Sequence, residues 1–122
     1  MNQGDKRIYR RLNMKINIRY VPINSNGKIE KELARESFGA AKNLSAGGLA
    51  FSTNETYKVG TLLQVTIELP MAKEAITCLS RVVRCAQSVR DTTNDVAVCF
   101  LDLSSKDSSE IGKFVNEEAR YG

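Results

Sequence analysis

The sequence holds no histidine, no tryptophan and only two prolines among its 122 residues. Without imidazole, the commonest zinc ligand and the usual general base are both missing. The three cysteines, Cys78, Cys85 and Cys99, are odd in number, sit in apolar stretches and show no C-x-x-C spacing. They read as buried reduced thiols, not as a disulfide framework or a metal site. Nowhere does an apolar run reach the eighteen or so residues of a membrane span, and the polar, basic beginning has no apolar segment behind it as a secretory signal would. The expected location is cytoplasmic. No Walker-type phosphate loop and no nucleophile elbow occur, and Ser45 has no evident base partner, so the chain reads as a non-enzyme without cofactor or metal.

What is present is a sequence with 42% hydrophobic residues, enough to bury one core, at a length typical of one domain. Its formal charge of +4 is unevenly placed. Residues 1–20 carry six cations (Lys6, Arg7, Arg10, Arg11, Lys15, Arg19) against Asp5, a net of +5, which leaves −1 for the remainder. A cationic feature confined to one segment suits a discrete anionic partner or a solvated tail better than wrapping by a long polyanion.

Residues 1–14 read as a flexible basic arm and 15–122 as the folded body. From Lys15 onward Ile16, Ile18 and Tyr20 alternate with Asn17 and Arg19, the period of a half-buried strand. Asn24 to Gly27 is a turn cluster, and 28–35 is either a hairpin loop or a short helical turn. Ser37 to Lys42 and Gly48 to Thr53 are expected strands around a turn that starts at Asn43. Leu63, Val65, Ile67 and Leu69 alternate with polar residues up to Pro70, which cannot donate to a sheet ladder. Ala75 to Gln87 is rich in β-formers but changes parity at Val82-Val83, the mark of a bulge. The run Val96 to Leu101 is apolar throughout, as in a strand covered on both faces. The period then shifts: Ile111, Phe114 and Val115 stand at helical spacing, and Ser104 with Asp107 resembles a capping box, so a helix of about three turns is expected from Ser105. The expected fold is all-β, a six-stranded antiparallel β-barrel with a C-terminal α-helix over its open end.

Two motifs remain. Arg7 and Arg11 have the spacing Arg-x-x-x-Arg, and Asn43-Leu44-Ser45-Ala46-Gly47-Gly48 fits Asp/Asn-x-Ser-x-x-Gly. In this order and separation they resemble the PilZ domain family, bacterial receptors for cyclic di-GMP. The resemblance extends to Val82-Val83-Arg84 and to 96–103, and it implies the same barrel. It also implies the ligand, cyclic di-GMP, singly or as a stacked pair. Arginine suits such a ligand because its planar guanidinium grips guanine O6 and N7, clamps phosphate or stacks on a base. The resemblance assigns Arg7 and Arg11 to guanine and phosphate, and Asn43 and Ser45 to the polar edge of the base. Asn43 stands where many family members carry Asp. Gly48 either keeps backbone close to the ligand or satisfies a positive φ of the turn. Lys6 and Arg10 strengthen the positive field and either touch phosphate or stay solvated, and Arg84 either faces the site or is an ordinary surface arginine.

The implied action is a switch in which the arm orders over the ligand and alters the surface offered to a downstream protein. Two other classes compete with it: a barrel that serves as a protein-interaction module, and a basic-arm binder of single-stranded nucleic acid. The latter is disfavoured because the few aromatics lie in strand or helix contexts instead of forming a stacking surface.

Overall fold

The computed structural model describes residues 16–23, 36–70 and 72–121, with side chains through Glu117. Six strands appear among them: β1 (Ile16–Pro22), β2 (Ser37–Ser45), β3 (Gly48–Thr53), β4 (Leu62–Glu68), β5 (Ile76–Gln87) and β6 (Asn94–Phe100). They close into a barrel in the order β1-β2-β3-β6-β5-β4, with β4 returning to β1 and every neighbour antiparallel. A closed barrel leaves no edge strand to pair with another chain. The helix α1 (Ser105–Tyr121) follows. No helix among the described residues is long and apolar enough to cross a membrane.

Two-residue alternation builds the interior. Ile16, Ile18 and Tyr20 of β1 face Leu63, Val65 and Ile67 of β4 within one core that also takes Leu44, Leu49, Phe51, Val82, Val96 and Val98. Tyr20 and Phe51 pack with their rings tilted by 43° and centroids 4.4 Å apart, and the Tyr20 hydroxyl donates to Thr53 Oγ1 at 2.8 Å, which satisfies the polar end of a residue that is only 2% exposed. Burial pushes the Tyr20 hydroxyl above its ordinary pKa, with the Thr53 hydrogen bond opposing the shift and the Glu55 charge adding to it. Burial likewise pushes the Cys78 thiol up to about 11. All three cysteines are free, as expected, but only Cys78 is buried; Cys85 and Cys99 are half-buried.

The Asp107 N–H donates to Ser104 Oγ at 3.0 Å, so the N-cap expected at Ser104 forms. At 17 residues the helix is about 25 Å long, well beyond three turns. Ile111 is fully buried, and Phe114 and Val115 pack against the barrel core, so the apolar stripe docks as its spacing requires. Beyond Val115 the sequence turns polar, Asn116-Glu117-Glu118, and the extra length carries no further stripe.

Two further expectations change. The strand after Ser37 does not stop at Lys42; it runs through Asn43 to Ser45, and the turn is the two-residue connection Ala46-Gly47. The apolar run 96–101 is not covered on both faces. Val96 and Val98 point inward and are buried, whereas Ala97 and Cys99 on the outer side are half-buried, the strand ends at Phe100, and Leu101 is exposed. The run is apolar outside because its outer residues are small.

Candidate functional site

Two bulges organise the outer surface of β2, β3, β6 and β5. In β2 the register slips between Ala41 and Asn43, so Lys42 is the extra residue. Ala41 packs on the core and Leu44 is buried, while Lys42, Asn43 and Ser45 are all exposed. Strict alternation would have sent Asn43 to the face opposite Lys42; the extra residue sends both outward. In β5 the slip falls between Val82 and Arg84, at the expected parity change. Val82 is fully buried, Val83 and Arg84 are exposed, and Cys85 returns to the core.

The registers then assemble lateral rows. Asn43 pairs with Ala50, Ala50 with Ala97, and Ala97 with Arg84. The adjacent outward row is Ser45, Gly48, Cys99 and Arg81. Asn43 and Ser45 thus stand on one side of a strip of small residues, with two arginines on the other. Arg84 shares a row with Asn43, which places it on the face of the motif. Arg81 went unrecognised in the sequence. Its signal was its place three residues before Arg84, on the other side of the parity change.

The hairpin between the rows is held by its own polar groups. The Gly47 N–H donates to Ser45 Oγ at 3.1 Å, and the Phe100 N–H donates to the Gly47 carbonyl at 3.0 Å. Ser45 spends one acceptor position on the turn and keeps its O–H to donate outward.

Of the two expectations for Gly48, the positive φ is not met; among the described glycines that conformation belongs to Gly60, at 100°. A Cβ on Gly48 would stand 2.1 Å from the Val98 carbonyl oxygen and 3.1 Å from its carbon. Glycine is needed because β3 begins pressed against the β6 backbone, a requirement of packing between strands that holds whether or not a ligand approaches.

One row further along, Ser52 pairs with Asp95 and Asp95 with Ala86. Lys42 Nζ donates to Asp95 Oδ1 at 2.7 Å and Ser52 Oγ to the same oxygen at 3.1 Å. These hydrogen bonds, Lys42 first, hold the Asp95 carboxyl below its usual pKa. Asp102, beyond Leu79, accepts the Leu79 N–H at 2.7 Å. Arg7, Arg11, Lys6 and Arg10 lie outside the described residues, as do 1–14 and the segment 28–35. Among the described residues no cluster of three or more potential metal ligands occurs.

The PilZ domain family model matches residues 5–117. Among solved structures, the chain is similar to the Bacillus subtilis inhibitor of motility, MotI/DgrA, with a TM-score of 0.75 and 17% identity over 99% of this chain and 55% of that one. It is also similar to MrkH of K. pneumonia, with a TM-score of 0.68 and 17% identity over 98% of this chain and 51% of that one. A tetrameric PilZ-domain protein from Xanthomonas campestris aligns with a TM-score of 0.56 and 13% identity over 75% of this chain and 51% of its own. The chain therefore spans about half the length of the solved structures it matches. No curated protein matches it. The six strands, the Asn43-to-Gly48 motif and all but the last turn of the C-terminal helix lie within the matched span, and the chain belongs to the PilZ domain family.

Proposed function

We propose that this chain is a cyclic di-GMP receptor domain, a binding module and not a catalyst, whose ligand lies on the outer face of β2 and β3. The observation that carries this reading is the bulge at Lys42, which puts Asn43 and Ser45 of the family motif side by side on the surface, next to the small residues Gly48 and Ala50. Asn43 offers an amide oxygen to the guanine N2 amine and Ser45 its free O–H. Arg7 and Arg11 supply the guanidinium groups for guanine and phosphate, with Lys6 and Arg10 adding to the field. Gly48 contributes by holding β3 against β6 at the floor of the site.

In this reading the arm orders over the bound dinucleotide and the altered face is offered to a downstream protein, inside the bacterial cytoplasm. Amide exchange in residues 1–14 should then slow when ligand is added; equal rates with and without it would remove the switch while leaving binding intact.

Calorimetry with cyclic di-GMP, with linear pGpG and GTP as controls, tests the central statement. Saturable binding of the cyclic form in preference to both controls is expected, and Arg7→Ala or Arg11→Ala should each weaken it by about 1–3 kcal/mol at unchanged thermal stability. Absence of binding by the wild-type chain would end the proposal.

A further inference from the structure

Arg81 and Arg84 stand three positions apart on β5, a spacing that in a regular strand points two side chains to opposite faces. The bulge between Val82 and Arg84 cancels this, and both arginines are exposed in neighbouring rows, Arg81 with Cys99 and Arg84 with Ala97. Those same rows end at Ser45 and Asn43 on β2. Three strand spacings separate β2 from β5, about 14 Å. The positions between are Gly48, Ala50, Ala97 and Cys99, none of which bears a charge or a bulky side chain. Acids bracket the strip without entering it: Asp95 is bonded to Lys42 and Ser52, and Asp102 to the Leu79 N–H. Among the described residues neither Arg81 nor Arg84 makes an ion pair.

We propose that Arg81 and Arg84 form a second, anion-binding locus on this face, which takes a phosphate of the same cyclic dinucleotide whose guanine edge meets Asn43 and Ser45. This rests on the reading given under the proposed function. The division of labour follows from chemistry: neutral amide and hydroxyl groups suit a base edge, whereas a pair of guanidinium forks suits phosphate oxygens, which accept two parallel charge-assisted hydrogen bonds. Small side chains between the two sets let the ligand lie flat across β3 and β6 and touch both.

The test is calorimetry with cyclic di-GMP on the full chain carrying Arg81→Ala, Arg84→Ala, both, or both as Lys. Each single change should weaken binding about tenfold or more, the double change further, and the Lys pair should recover part of the loss because charge is kept while the fork is lost. The positions are exposed, so melting temperatures should match wild type. Wild-type affinity in the double Ala variant would overturn the locus and leave the receptor reading standing. Should the wild-type chain fail to bind cyclic di-GMP, that reading falls by itself, and the locus is judged by titrating 5′-GMP against the arginine Nε–H resonances. Saturable shifts at Arg81 and Arg84 would uphold it; their absence would overturn it.

Discussion

The barrel has two unlike walls. Along β1 and β4 the pairing runs without a slip from Asn17–Glu68 to Pro22–Leu63, and the cation on the outer face, Arg19, lies between two carboxylates. Arg19 Nε lies 3.3 Å from Glu68 Oε2 and its Nη1 3.7 Å from Glu36 Oε2, while Thr66 and Thr77 share a hydrogen bond of 3.0 Å toward β5. Across β2, β3, β6 and β5 the register slips twice, the middle of the outer face carries small residues, and the arginines there have no carboxylate partner among the described residues. Inside, both walls contribute to one close-packed core. Among the described strands the register shifts thus fall in one wall, where they aim side chains that alternation would have turned away. A bulge costs a ladder hydrogen bond, and the two here flank one small-residue strip, the face to which the proposed ligand is assigned.

The sharpest way to break this contrast is to put a charge on each wall. Ala97→Glu adds a carboxylate between Arg84 and Ala50, where a bound dinucleotide would place its own negative charge, and should weaken cyclic di-GMP binding about a hundredfold or more. Gln64→Glu on β4 makes the same charge change on the regular wall and should leave affinity within twofold or so of wild type. Calorimetry on the pair reads the difference directly. Equal affinities in both variants would mean that the bulged wall is not where the ligand sits.

The second contrast lies within the hairpin. Gly48→Ala drives a methyl group into the Val98 carbonyl, a backbone atom that cannot rotate aside, and should cost about 1–3 kcal/mol in urea unfolding. At Gly47 an added Cβ would meet only Ser45 Oγ, at 3.7 Å, so Gly47→Ala should be nearly silent. If the two behaved alike, the close approach of β3 to β6 would not be what requires the glycine. Ser45→Ala should have a smaller effect on stability, about 0.5–1.5 kcal/mol, through loss of the bond to the Gly47 N–H, together with weaker ligand binding through loss of the outward O–H.

These comparisons also show what could be read from residues alone. The inward positions of β1 and β4 follow from their strict period of two, and the parity change at Val82-Val83 announced its bulge. The capping pair Ser104 and Asp107 marked the start of α1, although its length did not follow, because Glu118, Ala119 and Arg120 have no apolar stripe to count. The bulge in β2 left no such trace: Lys42 and Asn43 are both polar, so an extra residue between Ala41 and Leu44 looked like the beginning of a turn. The same blindness hid Arg81. That it shares a row with Ser45 follows from three successive strand pairings, and no local pattern encodes which residues of β5 and β2 end the same row. That position 48 needs a glycine has its reason on β6, fifty residues away in sequence, where no local pattern could show it.

The smallest expected effect tests Asp95, the acid that brackets the strip on the Lys42 side. Asp95 is held ionised by the Lys42 ammonium and the Ser52 hydroxyl, and its carboxyl lies below the ordinary carboxylate pKa. Because the folded value is the lower one, the contribution of this pair to stability is present in full above the ordinary carboxylate range and is lost as pH falls through the depressed value. The pair is exposed, so the change in stability should be slight; the titration itself is the better readout. Carbon-detected NMR should show the Asp95 carboxyl titrating below ordinary aspartates in the wild type and moving up toward them in Lys42→Ala. The same substitution uncovers a carboxylate one row from Ala50 and Ala97, so affinity for an anionic dinucleotide should drop a few fold at low ionic strength and recover with added salt, as screening shortens the reach of the bared charge. On the regular wall Glu68→Gln removes a carboxylate from Arg19 and should change neither affinity nor its salt dependence. If Lys42→Ala were equally without effect on binding while its Asp95 pKa rose as expected, the salt bridge would be a device of the barrel alone, and the boundary of the ligand face would have to be drawn between Asn43 and Lys42.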